Sequence, residues 1–458
     1  MHARRIRPDA GLLDRRRLLA AGLSTVLPGL GQALNRRRRL ALAFLLPAVI
    51  LAGITALLWA SQSPARLTAW AVTPSMLGFL LTLNVLFLVF RLVSAGQAFA
   101  DSRLAGPTSR LGVIGMAVLA VVIVLPHMFV WRYGQALEDT FARVFDGGSL
   151  GADPDASGEP GIDLSNERIN VLLVGIDKTP WRTATLTDSM MVVSVDPVGK
   201  TVAMLSVPRD LINVPLGNGD VYGPKINSLM SYADRHPEEF PAGGMHTLMN
   251  AVGALLDIRI PYYASIDLLS FIGLVDAVGG VDVHVDKAFE DPEYMGWGGR
   301  APGWSIAAGD HHLDGFNALA YARARRGAGE SDFTRAGRQQ EVLLALKNAV
   351  TKNGSLLWEL PALLDIVGDT IDTNVPVNSL PNLAAVSDEI DAKEITRVVL
   401  RQPLMDTKTT KYGYSLEPDV EAIQAVAAKL FPEPGEEPMP WPTPEPSLTP
   451  KVSPKPTP

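Results

Sequence analysis

The sequence predicts an α/β protein: three N-terminal transmembrane helices followed by an α/β/α sandwich with a mixed central sheet. Three observations carry that expectation. Long uncharged runs crowd the first 131 residues, short β-rich apolar runs begin after residue 168, and helical apolar spacing alternates with further such runs behind them. The 458 residues are 47% hydrophobic and 19% charged, with a mean hydropathy of +0.16, which is greasier than a soluble chain of this length. With no cysteine in the chain, disulfides, thiolate metal sites and cysteine nucleophiles are excluded.

Residues 1–39 hold ten arginines against Asp9 and Asp14, a local charge of +8, and form a basic N-terminus. The membrane region is residues 40–131. Residues 40–60, 67–90 and 111–131 carry no formal charge, and each is long enough as a helix to cross about 30 Å of hydrocarbon. Pro47 predicts a kink in the first, and Trp70 and Trp131 suit the interfaces. Arg36, Arg37, Arg38 and Arg39 abut the first span, and Arg91, Arg103 and Arg110 follow the second against one Asp101, whereas only Arg66 separates spans one and two. Positive flanks stay cytoplasmic, so the N-terminus is inside and an odd number of spans delivers everything after residue 132 outside. A twin-arginine export signal at Arg15, Arg16 and Arg17 fits less well, because Pro28, Gly29 and Gly31 break the following apolar stretch. Residues 18–34 read as a short interfacial helix. Arginines pressed against a span are topology signals, so nucleic acid is not an expected partner.

Residues 132–167 have an acidic, Gly-rich linker composition, residues 168–430 form the outer domain, and residues 431–458 hold eleven of the 35 prolines and read as a disordered tail. Inside the domain, residues 169–176, 190–195, 201–207, 262–266 and 281–285 read as strands, and residues 228–234, 244–256, 267–278, 312–323 and 334–350 as helices. Residues 356–430 continue with weaker periodicity and complete the same domain. A sheet covered by helices on both sides follows.

No Gly-x-Ser-x-Gly, P-loop, His-Glu-x-x-His or calcium-loop pattern is present, which excludes ordinary hydrolases and NTPases. Asp177 closes the strand VLLVGID and Asp188 precedes MMVVSV. Two carboxylates at neighbouring strand ends suit a hard cation such as magnesium, and the same residues also read as caps or turn formers. Arg209 follows a third strand in SVPRD. Arg323 and Arg325 lie in ALAYARARR, where residues i and i+2 of a helix point about 200° apart. Both can address one anion only if the helix ends near Tyr321 or Ala322; otherwise they are a solvated basic run. Arg335 and Arg338 project from the first turn of the helix TRAGRQQEVLLALKNAV, which Asp332 is expected to cap. Lys225 and Asn227 stand before another helix, where backbone donors favour anions. The seven histidines give no metal pattern.

Taken together, VGID, TDSMMVVSVDP, LSVPRD, KINS, LVDAVGGVDVHV, LDGFNALAYARAR and SDFTRAGRQQ resemble the LytR-CpsA-Psr family of bacterial cell-wall enzymes over residues 169–350. The resemblance implies an α/β/α domain whose long apolar pocket holds the tail of a polyprenyl pyrophosphate-linked glycan. It further implies transfer of that glycan with its phosphate onto peptidoglycan, on the outer face of a multi-pass protein in the cytoplasmic membrane, in contact with membrane lipids. On the matching positions it implies Asp177 and Asp188 as ligands of Mg2+, with Mn2+ as the alternative. Arg209, Arg323, Arg325, Arg335 and Arg338 would bind pyrophosphate, and Asp332 would orient or deprotonate the acceptor hydroxyl. Lys225, Asn227 and Gln339 would shape the substrate site. Many members have arginine where this chain has Leu186, so either the pyrophosphate loses a contact or nearby Arg182 supplies it, and the three spans exceed the family's usual single anchor. The alternatives are a non-catalytic envelope regulator sensing lipid-linked intermediates and a polyprenyl-pyrophosphate glycan hydrolase.

Overall fold

A computed structural model of the chain describes residues 10–62, 64–71, 73–101, 106–145, 167–177, 185–294, 303–327, 329–352, 371–390 and 394–439. Two compact units result, one built on Met1–Arg143 and the other on Val144–Asn353 with Asp369–Val375 and Glu389–Pro458. Arg182, residues 146–166 of the expected linker and the tail beyond residue 439 lie outside the described residues.

Among the described residues the first unit contains three helices long and apolar enough to cross a membrane: α3 (Arg38–Ser61), α5 (Pro74–Phe99) and α6 (Arg110–Phe145), the last apolar over Arg110–Asp139. Pro47 sits inside α3, which continues on both sides of it. The second apolar run is not one helix. A short α4 (Pro64–Ala71) holds Trp70, and α5 restarts at Pro74 because the proline ring forces Thr73 out of the helical region, to φ −62 and ψ 139. Helix α6 overruns residue 131 by fourteen residues, since the turn-forming glycines begin only at Gly147.

Residues 10–34, expected as one interfacial helix over 18–34, form a hairpin of α1 (Ala10–Val26) and α2 (Leu30–Leu34) packed on α5. Gly31 makes the close approach feasible, because a Cβ there would lie 2.0 Å from the Ala20 carbonyl oxygen. Several polar side chains of this region are buried and reach backbone acceptors. Gln32 Nε2 donates to Ser94 O at 2.8 Å, Asn35 Nδ2 to Ala98 O at 2.9 Å and Arg17 Nη2 to Gly106 O at 2.8 Å, while Arg91 Nη2 of α5 donates to Thr25 O at 2.6 Å.

The second unit is built on a six-stranded sheet. Its strands are β1 (Ile169–Asp177), β2 (Leu186–Asp196), β3 (Thr201–Val207), β6 (Tyr262–Asp267), β11 (Ile371–Thr373) and β12 (Ile395–Val399), in the order β11-β6-β1-β2-β3-β12. β1 pairs parallel with β6 and β3 with β12, while β1–β2, β2–β3 and β11–β6 are antiparallel, which makes the sheet mixed. Outside it, β4 (Val214–Pro215) pairs with β5 (Val221–Tyr222) and β8 (Phe289–Asp291) with β9 (Trp304–Ile306) as short ribbons.

Strand alternation sends Leu172, Val174, Met190, Val192 and Leu205 to one face, where they form a filled core with α7 (Leu229–Arg235), α8 (Gly243–Leu256) and the C-terminal helix Val420–Leu430. The opposite face carries Leu173, Gly175, Met191, Ala264 and Ile266 beneath α9 (Leu268–Ala277), α10 (Gly315–Arg323) and α11 (Asp332–Lys352). Two of these strand residues, Gly175 and Ala264, are small, and here the packing leaves a cavity.

Two further expectations shift. His311 and His312 belong not to a helix but to β10 (Gly309–Leu313), paired with β7 (Val281–Val285); Asp314 then caps α10 by accepting from Asn317 N. The chain past residue 430 stays on the domain as far as it is described. Pro432 O accepts from Arg168 Nε at 2.6 Å, and Gly435 N donates to the buried Asp196 carboxylate at 2.7 Å. Proline composition does not reveal such a partner.

Candidate active site

Asp177 ends β1 and pairs in register with Leu186, so Asp188 enters β2 at the same edge of the sheet. Gly175 sits at a bulge beside them, and a Cβ there would lie 3.0 Å from Ser189 Cβ. Ser189 Oγ donates to Gln339 Oε1 at 2.8 Å, which links β2 to α11. Arg209 leaves the end of β3 and pairs with Asp188 at 2.6 Å. Behind it Asp210 holds Lys225 Nζ at 2.6 Å, and Asn227 N donates to Arg209 O at 3.3 Å.

The arginines of ALAYARARR are separated by backbone. α10 ends at Arg323, and Ala324 is extended at φ −58 and ψ 134, so Arg325 stands on a different segment. Arg323 Nη2 lies 3.4 Å from Asp177 Oδ2 and 3.9 Å from Asp188 Oδ2. Arg325 Nη1 reaches Asp332 Oδ1 at 3.0 Å, and its backbone N donates to Asp291 Oδ2 at 2.8 Å. Arg335 Nη1 reaches the same Asp332 oxygen at 2.7 Å. Ser331, not Asp332, caps α11, accepting from Thr334 N at 3.2 Å; Asp332 is drawn to the guanidiniums instead.

Burial opposes charge throughout, and the pairing decides which charges stand. Burial works against the Asp332 carboxylate, yet Arg335, Arg209 and Arg325 hold it below the usual carboxylate range. Burial likewise works against Arg209, but Asp188, Asp332 and Asp210 raise it above its ordinary value. At Arg335 burial wins and pushes the guanidinium down to about 10.

These residues line two adjoining cavities. One, of about 330 Å3, is bordered by Arg209, Arg325, Asp332, Arg335 and Tyr414. The other, of about 260 Å3, is the apolar space between sheet and helices, walled by Leu173, Met191, Phe271, Leu274, Val342 and Leu346, with Arg323 at its rim. Asp188, Ser189 and Gln339 line both and mark the junction. Since an apolar cavity of about 150 Å3 accepts benzene, the second has room for a stretch of branched hydrocarbon chain.

Among the described residues no three histidine or acidic side chains cluster as a metal cage. Asp177 and Asp188 nonetheless converge on one guanidinium nitrogen of Arg323, so a single cation can face both. Two carboxylates fit magnesium, which completes its shell with water and phosphate oxygens.

Asp188, Arg209, Arg323, Arg325, Asp332, Arg335 and Gln339 therefore come together, with Asp177 behind Arg323. Lys225 and Asn227 brace the Arg209 segment and line neither cavity. Arg338 is turned away: its Nε donates to Tyr321 O at 2.7 Å, its other nitrogens to Ala324 O and Glu330, and its guanidinium lies 4.4 Å from the Phe289 ring. Sequence reasoning passed over Ser189 and Asp210, immediate neighbours of chosen residues, and Tyr414, which no local motif marks.

The model of the LytR_cpsA_psr family matches residues 151–430. The polyisoprenyl-teichoic acid–peptidoglycan teichoic acid transferase TagV of Bacillus subtilis (strain 168) is 28% identical over 275 residues, covering 59% of this chain and 65% of that protein, just under two thirds of its length. The regulatory protein MsrR of Staphylococcus aureus (strain COL) is 31% identical over 255 residues, covering 55% and 70%. The crystal structure of B. subtilis TagV aligns at 27% identity over 57% of this chain and 96% of that one, with a TM-score of 0.45.

Proposed function

Because the chain belongs to the LytR-CpsA-Psr family, we propose that it is a membrane-anchored phosphotransferase that moves a glycopolymer, with its phosphate, from a polyprenyl pyrophosphate carrier onto peptidoglycan. The observation that carries this reading is the junction at Asp188, Ser189 and Gln339, where an apolar cavity adjoins an arginine-lined one. An amphiphile with a hydrocarbon tail and an anionic head matches both halves at once. Membership supplies the reaction class, and the TagV relative's name supplies the acceptor and carrier chemistry.

In this reading the tail lies between sheet and α9, α10 and α11, and the pyrophosphate lies among Arg209, Arg323, Arg325 and Arg335. Their forked donors match phosphate oxygens and screen the charge that shifts during transfer. The acceptor hydroxyl attacks the glycan-bearing phosphorus, the bond from that phosphorus to the bridging oxygen breaks, and the electron pair leaves with polyprenyl phosphate. Asp332 accepts a hydrogen bond from the attacking hydroxyl, orients it and takes its proton as the new bond forms. Asp177 and Asp188 would hold Mg2+, or Mn2+ with the same oxygen-ligand chemistry, and a bound cation supplies further screening of the pyrophosphate. Lys225, Asn227 and Arg338 act through the segments they fix.

The test uses the full chain in bilayer discs with lipid-linked donor and peptidoglycan fragments. Wild type should form the phosphodiester and the Arg323→Ala/Arg325→Ala double variant should lose at least about a hundredfold in rate, as expected when electrostatic stabilisation is removed. Equal product from both would overturn the assignment, and release of free glycan phosphate despite abundant acceptor would identify a hydrolase. The MsrR name favours a regulatory reading as the second possibility; unaltered complementation by Asp188→Ala in cells would establish that one instead.

A further inference from the structure

We propose that the tip of a C-terminal β-hairpin is the platform that holds the acceptor glycan strand, with Tyr414 and Tyr412 stacking on its sugar rings. This deepens the transferase reading and rests on it. The hairpin comprises β13 (Met405–Thr410) and β14 (Gly413–Pro418), paired antiparallel with Thr409 opposite Tyr414 and Thr407 opposite Leu416.

Among the described residues of the second unit, Tyr412 and Tyr414 are the two exposed aromatic rings, at 40% and 51% exposure, and both sit on this tip. The other described aromatic side chains of the unit are at least partly covered. Along β14 the alternation runs outward from the reaction centre. Leu416 is 2% exposed and lines the arginine cavity, the half-exposed Tyr414 lines the same cavity, and Tyr412 follows at the turn outside its lining, with Lys411 Nζ 5.0 Å from its ring.

The platform is tied to the chemistry by backbone. Leu416 N donates to Asp210 O and Ile212 N to Leu416 O, both at 2.9 Å, so the hairpin is in register with the segment that begins at Arg209. A pyranose presents a flat C–H face, and an aromatic ring presents a negative π-face; the two stack without needing charge on the ligand.

In-line displacement fixes which glycan lies there. The attacking and leaving oxygens stand on opposite sides of the transferred phosphorus. The leaving group is the lipid phosphate, whose tail lies in the apolar cavity, so the attacking hydroxyl enters from the other side of the Asp188–Ser189–Gln339 junction. That side is the cavity shared by Asp332 and Tyr414. The donor's own glycan stays esterified to the same phosphorus as an equatorial substituent and projects sideways.

The experiment titrates the full chain in bilayer discs with soluble, uncrosslinked peptidoglycan glycan strands, read by intrinsic fluorescence, and separately measures KM for acceptor and for donor. Tyr414→Ala should weaken strand binding about tenfold and raise acceptor KM with donor KM held, Tyr414→Trp should retain binding, and Tyr412→Ala should have a smaller effect in the same direction. Wild-type strand affinity in Tyr414→Ala would overturn the proposal, and so would a rise confined to donor KM, which would place the donor's glycan on the hairpin. Strand binding does not depend on turnover, so wild-type protein that binds strands through Tyr414 yet transfers nothing would remove the transferase reading and leave the platform standing.

Discussion

At Arg335 a charge proposed to bind phosphate is closest to being lost. Burial pushes its guanidinium down to about 10 although Asp332 pulls the other way. The group is charged below that value and neutral above it, so donor affinity should fall as pH rises through about 10. A donor titration across that range checks the point, and a flat profile would show that Arg335 contributes no charge to binding. The sequence marked this arginine by its place three residues before Arg338 but did not separate their fates. Both are nearly covered, at 7% and 6% exposure, yet one faces the cavity and the other grips backbone carbonyls. Helical spacing puts them on one face, and only the packing of α10 against α11 decides what each guanidinium meets.

At the scale of elements, Arg338 ties the end of α10 to α11. Its three groups of donors hold Tyr321 O, Ala324 O and Glu330, the last turn of the helix and the segment beyond it. Arg323 and Arg325 flank that held carbonyl. Arg338→Ala should therefore destabilise the domain by roughly 3–5 kcal/mol, because Glu330 and two carbonyls lose a buried cation, and donor binding should weaken with it. Denaturant unfolding measures the first and a donor titration the second. Arg338→Lys should fail to restore either, since an ammonium cannot reach three acceptors as a planar fork does. A variant as stable as wild type would show the contacts to be incidental. Most elements were legible from period alone, among them β1, β3, α8 and α11. The errors fell where a local pattern met a distant partner: the second span is cut by one proline at residue 74, β10 replaces the start of an expected helix, and the polar residues of the α1–α2 hairpin find acceptors more than sixty positions away.

At the scale of the molecule, residues 1–110 sum to +11 and the remainder to −18, a charge division that predicts a cytoplasmic start and an exported domain. The absence of native cysteine makes this directly measurable. A single Ala33→Cys, exposed on the α1–α2 hairpin, should react with a membrane-impermeant maleimide only after permeabilisation, and Asn218→Cys in the second unit should react in intact cells. The reverse labelling would invert the topology.

The sequence by itself determined the number of apolar helices, the mixed α/β character of the second unit, the family and most of the charged residues at its site. These are properties of composition, period and local motif, and a chain displays them before it folds. Tertiary structure alone decided that the sheet's two faces differ, one filled by Leu248, Val252 and Leu255 and the other left hollow over Gly175, Met191 and Ala264. It also decided that Arg209 and Arg335 turn inward while Arg338 and Lys225 serve as braces, and that a tyrosine some two hundred residues beyond Arg209 stands at the same cavity. Direction and proximity across such separations are set by strand register and helix packing, to which a local pattern in the chain is blind.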